Sequence, residues 1–157
     1  MMNVLFVCKG NICTSPIAEA FLKKKYEENS ICGIVDSAGF EPVTINEPPH
    51  DKAIEAAKKH KLELTSKSRL FMKKDFDRFE KIYAMDTLSY TEVKYLARNK
   101  SDELKIDYFM NVMHPGTNKF IPDLINAGNV NIDTVVNTID KITNLITKQA
   151  SMIKSDA

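Results

Sequence analysis

Val4-Leu5-Phe6-Val7-Cys8-Lys9-Gly10-Asn11-Ile12-Cys13-Thr14-Ser15-Pro16 is the stretch on which the reading of this chain turns. Val4 to Val7 is a continuous apolar run, the pattern of a strand buried on both faces of a parallel sheet. Gly10 and Asn11 are residue types that readily accept positive φ, so the loop after that strand can curl and turn successive backbone N–H groups inward as an anion-binding nest. Pro16 suits the first position of a helix with Ser15 as its cap, which aims the positive end of a helix dipole at the same spot. A cysteine at the lip of such a nest is favoured as the thiolate, because amides and dipole both stabilise the anion. A lone Cys8 reads as readily as a small buried hydrophobe at a strand end. The complete order of strand, loop, cap and proline shifts the reading to a nucleophile beside an oxyanion or phosphate site.

Composition bounds the rest. At 157 residues with 43% hydrophobic content, the chain suits one domain with a proper core. A net charge of +1 and a pI near 7.7 argue against a nucleic-acid partner, which a clearly basic surface would favour. No apolar run approaches the roughly 20 residues that cross a bilayer, so no membrane is expected. The N-terminus lacks the pattern of an export signal. Three cysteines, an odd number, fit a reducing cytoplasm better than a disulfide scaffold.

Read in order, strands alternate with helices. Ile17, Ala18, Phe21 and Leu22 fall at helical spacing, with Lys23-Lys24-Lys25 on or near the solvated side. Residues 32–39 read as a second strand that opens with Cys32 in the core, and 51–62 as a second helix with Ala53, Ile54 and Ala57 as its stripe. Residues 81–85 make a third strand, 87–98 a helix and 106–110 a fourth strand. Ile132, Val135, Val136, Ile139, Ile142 and Ile146 mark the last helix, with Asn131 as its cap. The expectation is one α/β domain over residues 1–150, a small doubly wound parallel sheet with helices on both faces, and a flexible tail over 151–157. Ligands in such folds bind beyond the carboxyl ends of the strands, where the Cys8 loop lies. The histidines and Cys32 show no ligand spacing, so no metal is expected, nor any other cofactor.

The stretch Val7-Cys8-Lys9-Gly10-Asn11-Ile12-Cys13-Thr14-Ser15-Pro16 resembles the signature of the low-molecular-weight protein tyrosine phosphatases, whose relatives include thioredoxin-coupled arsenate reductases. The resemblance implies a four-stranded sheet of order 2-1-3-4. It also implies a catalytic Cys8 and a phosphate-binding loop of Lys9, Gly10, Asn11, Ile12, Cys13, Thr14 and Ser15. The family pattern has arginine where this chain has Thr14. Asp123, after Pro122 in a long stretch without periodicity, matches the family's general acid. The proline and two aromatics that follow in the family are here Leu124, Ile125 and Asn126. Ser37-Ala38-Gly39 resembles the family segment whose serine holds the loop asparagine, which pairs Ser37 with Asn11. Arg69 and Met85-Asp86 also match, while Ser66 stands for a loop-bracing histidine and Ser89 for an asparagine.

The implied chemistry is attack of Cys8 on phosphorus, protonation of the leaving oxygen by Asp123, and hydrolysis of the cysteinyl phosphate by water that the same aspartate activates. Ser15 would hydrogen-bond the thiolate. Expected partners are a phosphotyrosine protein or small aryl phosphate, and inorganic phosphate or another oxyanion. Arginine grips two phosphoryl oxygens with a planar charged fork, and Thr14 offers one neutral hydroxyl. Loss of one such donor is worth ~3 to 4 kcal/mol in the transition state, so slow turnover is expected. Lys9 either replaces part of the lost charge or points to solvent. Cys13 is either a resolving thiol for Cys8 or a packing residue. The alternatives to a weakened phosphatase are a silent phosphate- or phosphopeptide-binding module and an arsenate-reductase-like thiol enzyme.

Overall fold

A computed structural model of the chain describes residues 1–125, 128 and 130–156. Asn126, one of the three residues standing in place of the family proline and aromatics, lies outside the described residues. Among the described residues, β1 (Val4–Val7), β2 (Val35–Ala38), β3 (Lys81–Ala84) and β4 (Ile106–Tyr108) form one parallel sheet in the order β2-β1-β3-β4. Val4 pairs with Val35 and Lys81, and Val7 with Ala38 and Ala84. The central strand therefore ends level with both neighbours, and the chain leaves it directly into the Cys8 loop.

The apolar run of β1 is buried throughout because both faces of the sheet are covered. Val4 and Phe6 belong to the core shared with α1 (Thr14–Glu28), α2 (Asp51–Lys58) and α6 (Ile132–Asp156). Leu5 and Val7 belong to the opposite core, with Phe76 from α3 (Asp75–Arg78) and Val93 from α4 (Thr87–Leu96). A further short helix, α5 (Lys100–Glu103), leads into β4. Ile17, Ala18, Phe21 and Leu22 are buried as their spacing predicts. Lys23 and Lys24 are exposed, whereas Lys25 reaches across to the Asp140 carboxylate and the Thr143 hydroxyl of α6. No described helix is long and apolar enough to cross a membrane.

Several boundaries differ from the expectation. Helix α1 begins at Thr14 after Cys13, so Ser15 is not its cap and Pro16 sits in the third helical position. Proline removes no hydrogen bond there, since the first N–H groups of a helix have no intrahelical acceptor. The Ser15 hydroxyl is occupied instead by Cys8 and Asn11. Helix α2 stops at Lys58, before Leu62. Lys61 takes a left-handed φ of 57° and the Leu62 N–H bonds back to the Ala57 carbonyl at 3.0 Å, a helix-ending wrap. The same device closes α1, with Ser30 at φ 53° and the Ile31 N–H on the Tyr26 carbonyl at 2.8 Å. The chain leaving that wrap is irregular until Val35, so Cys32 is exposed, not in the core. Strands β3 and β4 stop at Ala84 and Tyr108, and α4 stops at Leu96. Asn131 caps α6 through Thr134 N–H at 3.1 Å, and the helix runs on to Asp156, with Ala150 buried.

Candidate active site

The loop between β1 and α1 is held by its carbonyls. Lys9 O accepts from Phe40 N at 2.8 Å, Ile12 O from His50 N at 2.7 Å, and Gly10 O from the Thr44 hydroxyl at 2.9 Å. Asn11 sits at φ 56°, the left-handed conformation the sequence reading requires of the curl. With three carbonyls engaged by the surrounding chain, the N–H groups of Lys9, Gly10, Asn11, Ile12 and Cys13 find no acceptor among the described residues. Buried or cleft-facing amides without partners are rare unless a ligand or water meets them. Such a loop offers a ring of donors to an anion.

Gly39 lets the loop sit where it does. A Cβ at that position would come within 2.9 Å of both the Asn11 Cβ and the Lys9 carbonyl oxygen. Gly39 also forms a parallel bridge with Leu70, through bonds from Gly39 N to Arg69 O and from Phe71 N to Gly39 O, both 2.8 Å. That bridge brings Arg69 beside the loop.

Cys8 Sγ lies 2.8 Å from Ser15 Oγ, and Cys8 lines a cavity of about 620 Å³. Thr14 and Cys13 line the same cavity. Asn11 Nδ2 donates to Ser15 Oγ at 3.0 Å and to Ser37 Oγ at 2.8 Å, which is the pairing of Asn11 with Ser37 that the sequence suggests. The place of the bracing histidine is taken by Ser66, and the bracing comes from main chain: Arg69 N–H donates to Asn11 Oδ1 at 3.0 Å. The Arg69 guanidinium is held in turn by Asp36 and by the fully buried Asp75. Its side chain is a strut.

Lys9 stands at the rim, 60% exposed, with its ammonium 3.2 Å from the Glu41 carboxylate. Its charge is paired with Glu41, which lines the same cavity. Asp123 also lines the cavity; its Oδ1 accepts from Ile125 N at 2.8 Å, an Asx turn that orients the carboxylate. The preceding Ile121 N–H bonds to the Met85 carbonyl at 2.7 Å, which ties the aspartate loop to the end of β3. Burial first, then the neighbouring Cys8 and Asp123 charges, push the Cys13 thiol from 9.0 up to about 12. Cys13 is free, buried and packed in the core with Leu124.

Glu41, His50, Asp86, Leu88 and Phe120 also line the cavity. Asp86 caps α4 through Ser89 N–H at 2.7 Å, and His50 Nδ1 caps α2 through Lys52 N–H at 3.1 Å. Their places after β3 and ahead of a helix were readable signals. Leu88 and Phe120 carried none, since they come from segments 32 residues apart that only the fold joins. Phe120, 61% exposed, gives the cavity an aromatic wall ahead of Asp123, on a side where the family resemblance placed none.

Comparison with known proteins agrees with this architecture. Residues 3–156 match the family described as low molecular weight phosphotyrosine protein phosphatase. The chain is 31% identical to the low molecular weight protein-tyrosine-phosphatase PtpA of Staphylococcus aureus, with 97% of this chain and 98% of that protein aligned. Among solved structures, YfkJ from Bacillus subtilis superposes with a TM-score of 0.85 at 28% identity, covering 100% of this chain and 98% of that one. The Drosophila arginine phosphatase DARP superposes with a TM-score of 0.84 at 26% identity, covering 94% and 97%.

Proposed function

This chain belongs to the low molecular weight phosphotyrosine protein phosphatase family, and from that premise we propose that it hydrolyses aryl phosphomonoesters slowly, through a cysteinyl phosphate on Cys8. The observation that carries the reading is the set of N–H groups from Lys9 to Cys13, without acceptors among the described residues, in the loop that Cys8 opens and that lines the cavity. Equatorial phosphoryl oxygens would take those donors, while the thiolate attacks phosphorus in line. An S–P bond forms as the P–O bond to the leaving group breaks, and Asp123 gives its proton to the departing oxygen. Water then attacks phosphorus, its proton passes to the Asp123 carboxylate, and the S–P bond breaks. Ser15 supports the returning thiolate through the 2.8 Å contact.

Thr14 makes both steps slow. It lines the cavity but brings no charge, and Lys9 is engaged with Glu41. Leu88, Phe120 and Ile12 give the cavity an apolar and aromatic surface suited to an aryl group that carries the phosphate. The test is stopped-flow hydrolysis of p-nitrophenyl phosphate beside N-phosphoarginine. A burst of nitrophenolate that is lost in Cys8→Ser supports the reading; no Cys8-dependent release of nitrophenolate, whether or not N-phosphoarginine is turned over, refutes it.

A further inference from the structure

Glu19 lies on α1 outside the cavity, yet its carboxylate is buried. One oxygen meets Lys23 Nζ at 2.7 Å and the other meets Ser37 Oγ at 2.6 Å. From Ser37 a continuous chain of hydrogen bonds leads inward through Asn11 and Ser15 to Cys8 Sγ.

Proton counting fixes the direction of every link. An ion-paired carboxylate only accepts, so Ser37 must spend its single proton on Glu19. Toward Asn11, Ser37 Oγ is then an acceptor. Asn11 cannot turn its amide over, because its oxygen faces the Arg69 N–H, which only donates. Both Nδ2 hydrogens therefore point out, one to Ser37 and one to Ser15. Ser15 accepts from Asn11, and its own proton is left for the sulfur 2.8 Å away.

We infer that Glu19 is a positioning residue for Cys8: it orients the hydroxyl of Ser37, locks Asn11 between two hydroxyl acceptors, and thereby aims the Ser15 proton at the nucleophile. Removing the carboxylate leaves a buried hydroxyl without its acceptor and lets Ser37 turn, which loosens one of the three anchors of Asn11. Glutamine keeps the link that matters: its Oε1 accepts the Ser37 proton while its amide nitrogen faces Lys23, which is half-exposed and turns to water. Hydrogen bonds in one connected chain act as a unit, so breaking it at Glu19 or at Ser37 has the same consequence at the sulfur.

The inference rests on Cys8 as the nucleophile, and its test needs no phosphatase turnover. Alkylation of the intact protein by iodoacetamide at fixed pH, followed residue by residue, reads Cys8 against the exposed Cys32 as internal standard. Glu19→Ala is expected to slow Cys8 about tenfold, an effect of ~1.4 kcal/mol, with Cys32 unchanged. Ser37→Ala is expected to slow Cys8 by a similar factor, and the double variant no further. If turnover is measurable, kcat falls with KM held within about twofold. Ser37→Ala also serves if Glu19→Ala does not fold. Wild-type reactivity of Cys8 in a folded Glu19→Ala or Ser37→Ala protein overturns the inference. Loss of reactivity in both variants without any Cys8-dependent hydrolysis in the wild type leaves Glu19 in its role and removes only the phosphatase reading.

Discussion

The side-chain oxygen of Asn11 accepts the backbone N–H of Arg69 at 3.0 Å, across 58 residues of sequence. That bond replaces a bracing side chain with main chain, and it holds only while Arg69 is immobile. Arg69 is fixed by the buried Asp75, which takes two guanidinium bonds at 3.0 and 3.1 Å and the Met72 N–H at 2.9 Å. Asp75→Ala leaves a half-buried guanidinium and an N–H without their carboxylate. We expect a loss of about 3 kcal/mol in urea denaturation and a parallel loss of Cys8 reactivity, because the strut and the loop share one anchor. A stable Asp75→Ala protein with native Cys8 reactivity would show that the loop stands without it.

Thr14→Arg should raise turnover of aryl phosphate by roughly a thousandfold, since a charged bidentate donor contributes at least the ~3 to 4 kcal/mol of a single oxyanion donor. Thr14 lines an open cavity, which leaves room for the longer side chain. Steady-state assays with p-nitrophenyl phosphate decide it. No gain would mean that threonine is not what limits the rate.

Phe120 stands in the cavity wall with most of its ring exposed. Phe120→Ala should raise KM for an aryl phosphate about tenfold, by loss of stacking and of apolar burial. Inhibition by inorganic phosphate, which meets only the loop, should stay unchanged. Equal losses for both ligands would place Phe120 in a structural role.

The Cys13 thiol, pushed to about 12 by burial and then by Cys8 and Asp123, stays protonated at assay pH. Mass spectrometry after limited alkylation at pH 8 should find Cys8 and Cys32 labelled and Cys13 unlabelled. Early labelling of Cys13 would contradict its placement.

The same thiol contributes to stability in a defined window. Its folded value lies above the ordinary 9.0, so the stabilisation is complete below pH 9 and is lost as pH rises toward about 12. Tyr26, raised from 10.0 by burial with its hydroxyl donating to the Met2 carbonyl at 2.8 Å, adds to the loss above pH 10. Urea midpoints should therefore fall steeply between pH 9 and 12, and less steeply in Cys13→Ala. An unchanged slope in that variant would remove Cys13 from the account.

Much of the site follows from neighbours in sequence. A four-residue apolar run, a loop with a left-handed asparagine and a helix start lie within thirteen residues, so their joint geometry is set by backbone preferences and short-range capping. The alternation of strands and helices was equally readable, because each element carries its own hydrophobic period. Boundaries were less so: where Lys61 and Ser30 turn left-handed is decided by Leu62 and Ile31 packing back, not by the helical period.

Long-range partnership is what local patterns could not specify. Ser15 looked like a cap, but in the folded chain its hydroxyl answers to Cys8 and Asn11. Glu19 looked like an ordinary helix carboxylate until β2 placed Ser37 against it. Phe120 became a cavity wall only when its loop docked on the end of β3. A residue's own chemistry and its near neighbours are written in order along the chain, whereas who accepts whose proton depends on segments that meet only after the sheet has closed.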